Sequence, residues 1–279
     1  MHNPEITVLM PVKNSEQYIK ESVESVLRQT LEDFEFIIID DDSTDGTIEI
    51  IESYKDKRIK LFKRASGYIK NLNEGFTIAT GKYIACMGSN DIMYSERLRV
   101  QLKRMKMNPE VDICASWAKT FGIENVVYPI FNLGERVVSN PILKFLSKNF
   151  IVHHSVMLKK NFLIDNSLKY QDYLCTEDYK LWFEAVKKGG VFYIEPQYLM
   201  YLRLPGRQTD ITNQEQMNNQ IIRIKNEILE YLISNSEYSK TLSEICKSTE
   251  ILKRNGLILP DELFSFFYNI LNKEISKNN

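Results

Sequence analysis

From residue 6 to residue 117 the chain alternates between short apolar runs and stretches whose apolar positions recur every three or four residues. The first pattern reads as buried strand and the second as one face of a helix. Residues 6–12 (ITVLMPV) form the first run, with Pro11 near its end; Asn14 and Ser15 then offer N-caps to a helix burying Tyr18, Ile19, Val23, Val26 and Leu27. Residues 34–39 (FEFIII) are the second run, followed by a polar turn at 40–46 and a helix through Ile48, Ile51 and Tyr54. A strand at 59–62, a helix marked by Leu72, Phe76 and Ala79 and stopped at Gly81, and a strand at 83–87 (YIACM) come next. A helix over 97–107, ending before Pro109, and a strand at 111–117 complete the series. This alternation predicts an α/β fold with a mainly parallel central sheet flanked by helices, and ligands in such sheets bind beyond the carboxyl ends of the strands.

The periodicity fades between 118 and 175, leaving one expected strand at 155–158 (SVML); residues 177–188 read as a helix ended by Gly189 and Gly190. Further on, Ile221, Ile224, Ile228 and Leu232 recur at helical spacing, Ile222 and Leu229 widen the stripe, and a second apolar set runs over 263–271. The expected organisation is a main domain over residues 1–212 and a C-terminal helical extension over 213–279 that packs back onto it.

Composition narrows the class. Lys plus Arg (36) balance Asp plus Glu (37) to a formal charge of −1, so no global field directs the chain to nucleic acid. Cys86, Cys114, Cys175 and Cys246 form no C-x-x-C pair, which argues against a zinc site or a disulfide framework and fits a reducing cytoplasm. No run of about 18 apolar residues and no leader-like N-terminus is present, so a cytoplasmic protein, soluble or peripheral to the membrane, is expected.

Several side chains suit chemistry, each with a plainer alternative. Asp40, Asp41, Asp42 and Asp45 crowd the turn after the second strand, where carboxylates can accept hydrogen bonds from a base or ribose; a solvated helix-capping turn would use the same residues. Residues 41–52 also match the spacing of a calcium loop, but a strand rather than a helix enters it. The first strand leads into PVKN rather than G-x-G-x-x-G, which disfavours hydride transfer. Glu177 and Asp178 begin a helix whose Leu181, Trp182, Ala185 and Val186 face inward; they fit a favourable charge at a helix N-terminus or a general base. His153 and His154, if extended, point to opposite faces, so only one can reach a given pocket. Arg203 and Arg207 flank a Leu-Pro-Gly segment, as surface arginines or as bidentate ligands of a diphosphate.

Taken in order, these segments resemble the inverting glycosyltransferase family 2, whose members transfer a sugar from a nucleotide-diphosphate donor on a GT-A fold. ITVLMPVKN resembles the family's first strand and P-x-x-N turn. FIIIDDDSTDGT resembles its IIVDDGSTDGT with Asp42 in place of glycine, and NLNEGFTIATGKYIACM resembles its N-x-G helix and next strand. HHSVMLKK, TEDYKLWFEAVKKGG and QYLMYLRLPGRQTD resemble three later segments, so the likeness spans residues 5–212. The resemblance implies that Pro11, Val12, Asn14, Asp40 and Asp41 line the nucleotide, with Lys70 near the place of an arginine that faces it. It also implies that Asp178, and less directly Glu177, supplies the catalytic base.

One departure matters. Where the family reads M-D-A-D-D this chain reads Met87-Gly88-Ser89-Asn90-Asp91, so both carboxylates of the D-x-D metal motif are replaced. Asn90 and Asp91 remain as the expected weak ligands of Mn²⁺ or Mg²⁺ beside the donor, or the metal is absent and Lys13 neutralises phosphate directly. Asn90, Asp91, His153, His154, Arg203 and Arg207 are accordingly the expected donor and acceptor contacts. The expected function is transfer of a hexosyl or N-acetylhexosaminyl group to a hydroxyl of a glycan or lipid-linked acceptor. The implied setting is bacterial capsule, O-antigen or lipooligosaccharide synthesis at the inner face of the plasma membrane. The alternative is a catalytically inactive GT-A-like module that binds a nucleotide, a sugar or a partner.

Overall fold

A computed structural model describes residues 3–122, 136–173, 175–204 and 211–235. Arg207 and the apolar set at 263–271 lie outside the described residues. The chain forms two compact units interleaved in sequence: one comprises Met1–Ser139, Ile151–Asp172 and Lys187–Gln208, the other Asn140–Phe150, Tyr173–Val186 and Thr209–Asn279.

The first unit is built on one sheet. Its strands are β1 (Ile6–Val12), β2 (Phe34–Asp40), β3 (Ile59–Lys63), β4 (Tyr83–Cys86), β5 (Ile92–Met93), β6 (Ile113–Gly122), β7 (Met157–Lys159) and β8 (Phe192–Leu204). Their spatial order is β3-β2-β1-β4-β7-β6-β8-β5. Pairing is parallel for β1 with β2 and β4, for β2 with β3 and for β6 with β8; it is antiparallel where β7 meets β4 and β6 and where β5 meets β8. All seven residues of β2 are buried, as expected for a strand inside a parallel sheet covered on both faces. The first helices that follow strands in this unit are α1 (Ile19–Leu27), α2 (Thr47–Ser53), α3 (Tyr68–Ile78) and α4 (Arg97–Met107). Ile19, Val23 and Val26 of α1 and Leu98, Leu102 and Met105 of α4 recur at three and four residues and are buried in the common core.

Two local devices fix this sheet. Gly81, in the turn into β4, lies so close to β1 that a Cβ there would be 2.4 Å from the backbone nitrogen of Thr7. Beside it, buried Glu35 of β2 accepts hydrogen bonds from Thr7 Oγ1 (2.6 Å), Thr80 N (2.6 Å) and Thr80 Oγ1 (2.8 Å), and pairs with Lys60 Nζ at 2.5 Å. Burial alone would raise its pKa, but the bonds from Lys60, Thr7 and Thr80 win and hold it at about 2.

The second unit contains α5 (Pro141–Ser147), most of α7 (Glu177–Lys187) and α8 (Ile211–Asn235); α6 (Lys160–Asp165) belongs to the first. The predicted stripe on α8 buries Ile224, Ile228, Leu229 and Leu232, and α8 lies against α5. Lys180 of α7 pairs with Glu227 of α8, and Tyr173 donates to the same carboxylate at 2.7 Å. Residues 140–150 and 173–186 cluster with α8 in this unit, so the segments interleave instead of dividing once after residue 212. Among the described residues no helix is long and apolar enough to cross a membrane.

Candidate functional site

The loops that follow β1 and β2 are bonded to one another. Asn14, at φ +46°, receives Thr44 N on its side-chain oxygen (2.9 Å) and donates its own backbone N–H to Ser43 Oγ (2.9 Å). Ser15 N donates to Thr47 Oγ1 (2.7 Å), and Glu16 exchanges bonds with this loop through Asp45 Oδ2 and Gly46 N. Asp45, one residue before the N-cap Gly46, satisfies the start of α2 by accepting from Thr47 N (3.1 Å) and Thr47 Oγ1 (2.5 Å); the hydroxyl bond is the main reason its pKa is lowered. For Asp45, then, the capping alternative describes what the side chain does. Asp42 is exposed and stands at φ +60°, a left-handed conformation that glycine adopts most easily.

Asp40 and Asp41 behave differently from Asp45 and from each other. Asp41 accepts from Gly67 N (2.8 Å) and from Asn71 Nδ2 (3.0 Å), tying the loop to the start of α3, while Lys13 Nζ stands 3.5 Å from its other oxygen. Asp41 and Asp45 thus turn to separate partners rather than to a common point. Asp40 is buried at the carboxyl end of β2; Oδ2 accepts from Ser43 N (3.1 Å), whereas Oδ1 is buried with no protein partner among the described residues. Val12 is buried and Pro11 partly exposed on β1, and Lys70 is exposed in the first turn of α3.

Residues 88–91 form the next loop, after β4. Asp91 is buried, and both of its oxygens are engaged: Oδ1 accepts from Arg203 N (2.9 Å) and Oδ2 bonds His154 Nδ1 (2.6 Å). The imidazole of His154 fills the space over Gly88, where an added Cβ would lie 2.5 Å from His154 Nδ1 and 2.6 Å from Asp91 Oδ2. Ser89 and Asp91 carbonyls accept from Ser22 Oγ, and Ser89 Oγ is 2.8 Å from Ser15 Oγ, so this loop is anchored to α1 and to the β1 loop. Arg203 donates from Nε to Asn90 O (3.0 Å), pairs with Glu21, and stacks between Tyr18 (4.5 Å) and Phe121 (4.4 Å). It is a fixed, half-sandwiched guanidinium rather than a loose surface arginine.

The histidine pair is not extended. Residues His153–Ser155 form a 3-10 turn, and the two rings lie 5.2 Å apart. The premise of opposite faces therefore fails, because a tight turn replaces the first residue of the predicted strand and β7 begins only at Met157. His153 Nε2 bonds Tyr170 Oη at 2.7 Å, and burial, with the neighbouring His154, pushes its pKa well below the usual histidine value.

A divalent cation of the Mg²⁺ or Mn²⁺ kind, which the fold family implies at residues 88–91, needs oxygen ligands at fixed geometry. Gly88 offers no side-chain oxygen and its carbonyl accepts from Asp91 N, Asp91 has both oxygens committed, and the Asn90 backbone oxygen accepts from Arg203, which leaves only the neutral side-chain amide of Asn90 from the expected ligand pair. This donor set does not fit such an ion.

In the second unit Glu177 and Asp178 open α7 as the sequence predicts. Glu177 is buried; Asp178 accepts from Asn149 Nδ2 (2.9 Å) on Oδ2 and from Tyr179 N (2.7 Å) on Oδ1. Asp178 lines a cavity of about 490 Å³ together with Lys148, Asn149, Thr176, Ile221 and Lys225. A carboxylate held by an amide on a cavity wall has the attributes of a general base. The contributions of Asn149 and α8 to this cavity carry no motif, and sequence reasoning missed them.

The chain is similar to known proteins over most of its length. An uncharacterized glycosyltransferase of Methanocaldococcus jannaschii is 32% identical over 261 residues, 91% of this chain and 86% of that protein. One of Haemophilus influenzae is 29% identical over 272 residues, 90% and 84% of the two chains. Among solved structures, Staphylococcus aureus TarS 1–349 superposes with a TM-score of 0.64 at 21% identity, covering 84% of this chain and 66% of that one; TarS has also been crystallised with UDP-GlcNAc. The mannosyltransferase PcManGT of Pyrobaculum calidifontis, in complex with GDP-Man and Mn²⁺, gives a TM-score of 0.56 at 14% identity over 99% of this chain and 87% of its own. These likenesses establish the GT-A fold. Residues 7–182 match the family described as Glycosyl transferase family 2, and the chain belongs to that family of glycosyltransferases.

Proposed function

We propose that this glycosyltransferase is inverting and takes a hexosyl or N-acetylhexosaminyl group from a nucleotide-diphosphate donor to a hydroxyl of a glycan or lipid-linked acceptor. The observation that carries donor binding is Asp40 Oδ1, a buried carboxylate oxygen without a protein partner at the carboxyl end of β2. An orphan acceptor of this kind is costly unless something donates to it, and a base N–H or ribose hydroxyl supplies that donor. Pro11, Val12, Asn14 and Asp41 frame the same loops, with Lys70 at their edge. Asp178 is the base, oriented by Asn149, and Glu177 supports it.

In the reaction the acceptor oxygen attacks the anomeric carbon opposite the diphosphate. The new C–O bond forms as the sugar–phosphate bond breaks, the hydroxyl proton passes to Asp178, and the electron pair leaves with the nucleoside diphosphate. Configuration inverts in the single step. Arg203 and Arg207, with His153 and His154, are the proposed contacts to donor and acceptor. A place in bacterial surface-glycan assembly, at the cytoplasmic face of the membrane, follows from the family resemblance.

The test is Asp178→Asn, assayed by nucleoside diphosphate release and by the anomeric coupling of the product. Turnover should fall by about 10²–10⁴-fold, with donor affinity kept and product anomericity opposite to that of the donor. Equal turnover in the variant sinks the base assignment; retained configuration sinks inversion.

A further inference from the structure

The substitutions at residues 88–91 and the position of His154 belong together. Removing the side chain at Gly88 opens a space, and the His154 ring occupies it while bonding the one carboxylate that remains. To serve a cation, Asp91 would have to leave both Arg203 N and His154 Nδ1 from a buried position. The charge of a bound diphosphate must then be met by the protein.

We propose that this chain binds its nucleoside diphosphate without a divalent cation, the ammonium of Lys13 taking up the diphosphate charge; this rests on the nucleotide-donor reading above. Lys13 leads out of β1 at its carboxyl end. Its carbonyl accepts from Ser15 Oγ (3.2 Å), and the same hydroxyl is 2.8 Å from Ser89 Oγ, so its backbone is one hydroxyl removed from the 88–91 loop. The side chain is 59% exposed and its pairing with Asp41, at 3.5 Å, is of the weak surface kind, so the ammonium can turn to a ligand on its flexible stem. Arg203, already paired with Glu21, stands immobile beside Asn90 and leaves Lys13 as the cation that can turn to the ligand.

The experiment is calorimetric titration of the full chain with UDP, GDP, CDP and dTDP and their parent nucleosides, in EDTA and again in Mn²⁺. One nucleoside diphosphate should bind in EDTA, with an affinity that Mn²⁺ changes by less than about threefold, and Lys13→Met should weaken it by about tenfold or more, the scale of one charged hydrogen bond, while sparing the nucleoside. Binding that requires Mn²⁺ overturns the inference and leaves the transferase reading standing. Unchanged affinity in Lys13→Met overturns the role of that lysine, and absence of binding in both arms overturns the donor reading together with the inference. Mn²⁺ electron paramagnetic resonance gives an independent readout. Gly88→Asp alone should lower the melting temperature without gaining Mn²⁺, and Gly88→Asp with His154→Ala, which frees Asp91 Oδ2, should bind the ion and be stabilised by it. A stable, Mn²⁺-binding single variant would refute the closure by His154.

Discussion

Replacing Glu35 by glutamine should weaken the anchoring of β2 to Lys60 of β3, and do so in a pH-dependent way. In the folded protein this carboxylate is held at about 2, against 4.5 for an ordinary glutamate, because Lys60, Thr7 and Thr80 all favour its charged form over the cost of burying it. An interval of roughly two and a half units corresponds to about 3 kcal/mol of stability at neutral pH. A folded-state pKa below the unfolded one means that this contribution is complete above about pH 4.5 and disappears as pH falls toward 2. Glutamine keeps the volume and can still accept from Thr7 and Thr80, but it leaves Lys60 without its anion. The expected loss is therefore about 2–3 kcal/mol at pH 7. Urea denaturation of wild type and Glu35→Gln at pH 7, 4 and 3 reads it directly: the difference in unfolding free energy should be largest at pH 7 and narrow on acidification. A difference that is the same at all three pH values would refute the electrostatic account and leave only packing.

Two backbone positions give further tests. Asp42→Gly relieves a left-handed non-glycine residue at φ +60° and should stabilise the protein by up to about 1 kcal/mol, partly offset by the freer unfolded chain; thermal melting checks it, and a lower melting temperature would mean that the Asp42 side chain holds the turn. Gly81→Ala drives a Cβ to 2.4 Å from the Thr7 backbone and should cost about 1–3 kcal/mol, read by chemical denaturation, with an unchanged midpoint contradicting the close approach.

Much of the first unit is legible in the sequence because each of its early elements carries its own apolar pattern, even though the strands bond to partners distant in sequence. The runs at 6–12, 34–39 and 59–62 become β1, β2 and β3 within a residue at each end, and α4 spans the predicted 97–107. β8 was not legible as a strand: Glu195, Pro196 and Gln197 interrupt its apolar pattern, and its pairing with β6 shifts register around Trp117 to absorb them. β6 likewise runs on to Gly122, past the predicted end at 117, because β8 continues beside it. At the site the sequence announces the missing carboxylates, but not that a histidine more than sixty residues later occupies their space, a contact set only by the antiparallel entry of β7 next to β4. The orphan oxygen of Asp40 is equally invisible in one dimension, since the neighbouring Asp41 and Asp45 have the same chemistry yet turn to protein donors.

The stitch between Asn14 and the Ser43–Thr44 turn bears on how fast the proposed donor would be captured. Two loops that would each lose about 1–2 kcal/mol of conformational freedom per residue on being ordered are held together by folding, so a nucleotide arriving there would meet a finished surface. Association would then proceed without a preceding search among loop conformers, and selectivity between nucleotides would fall chiefly on their residence times.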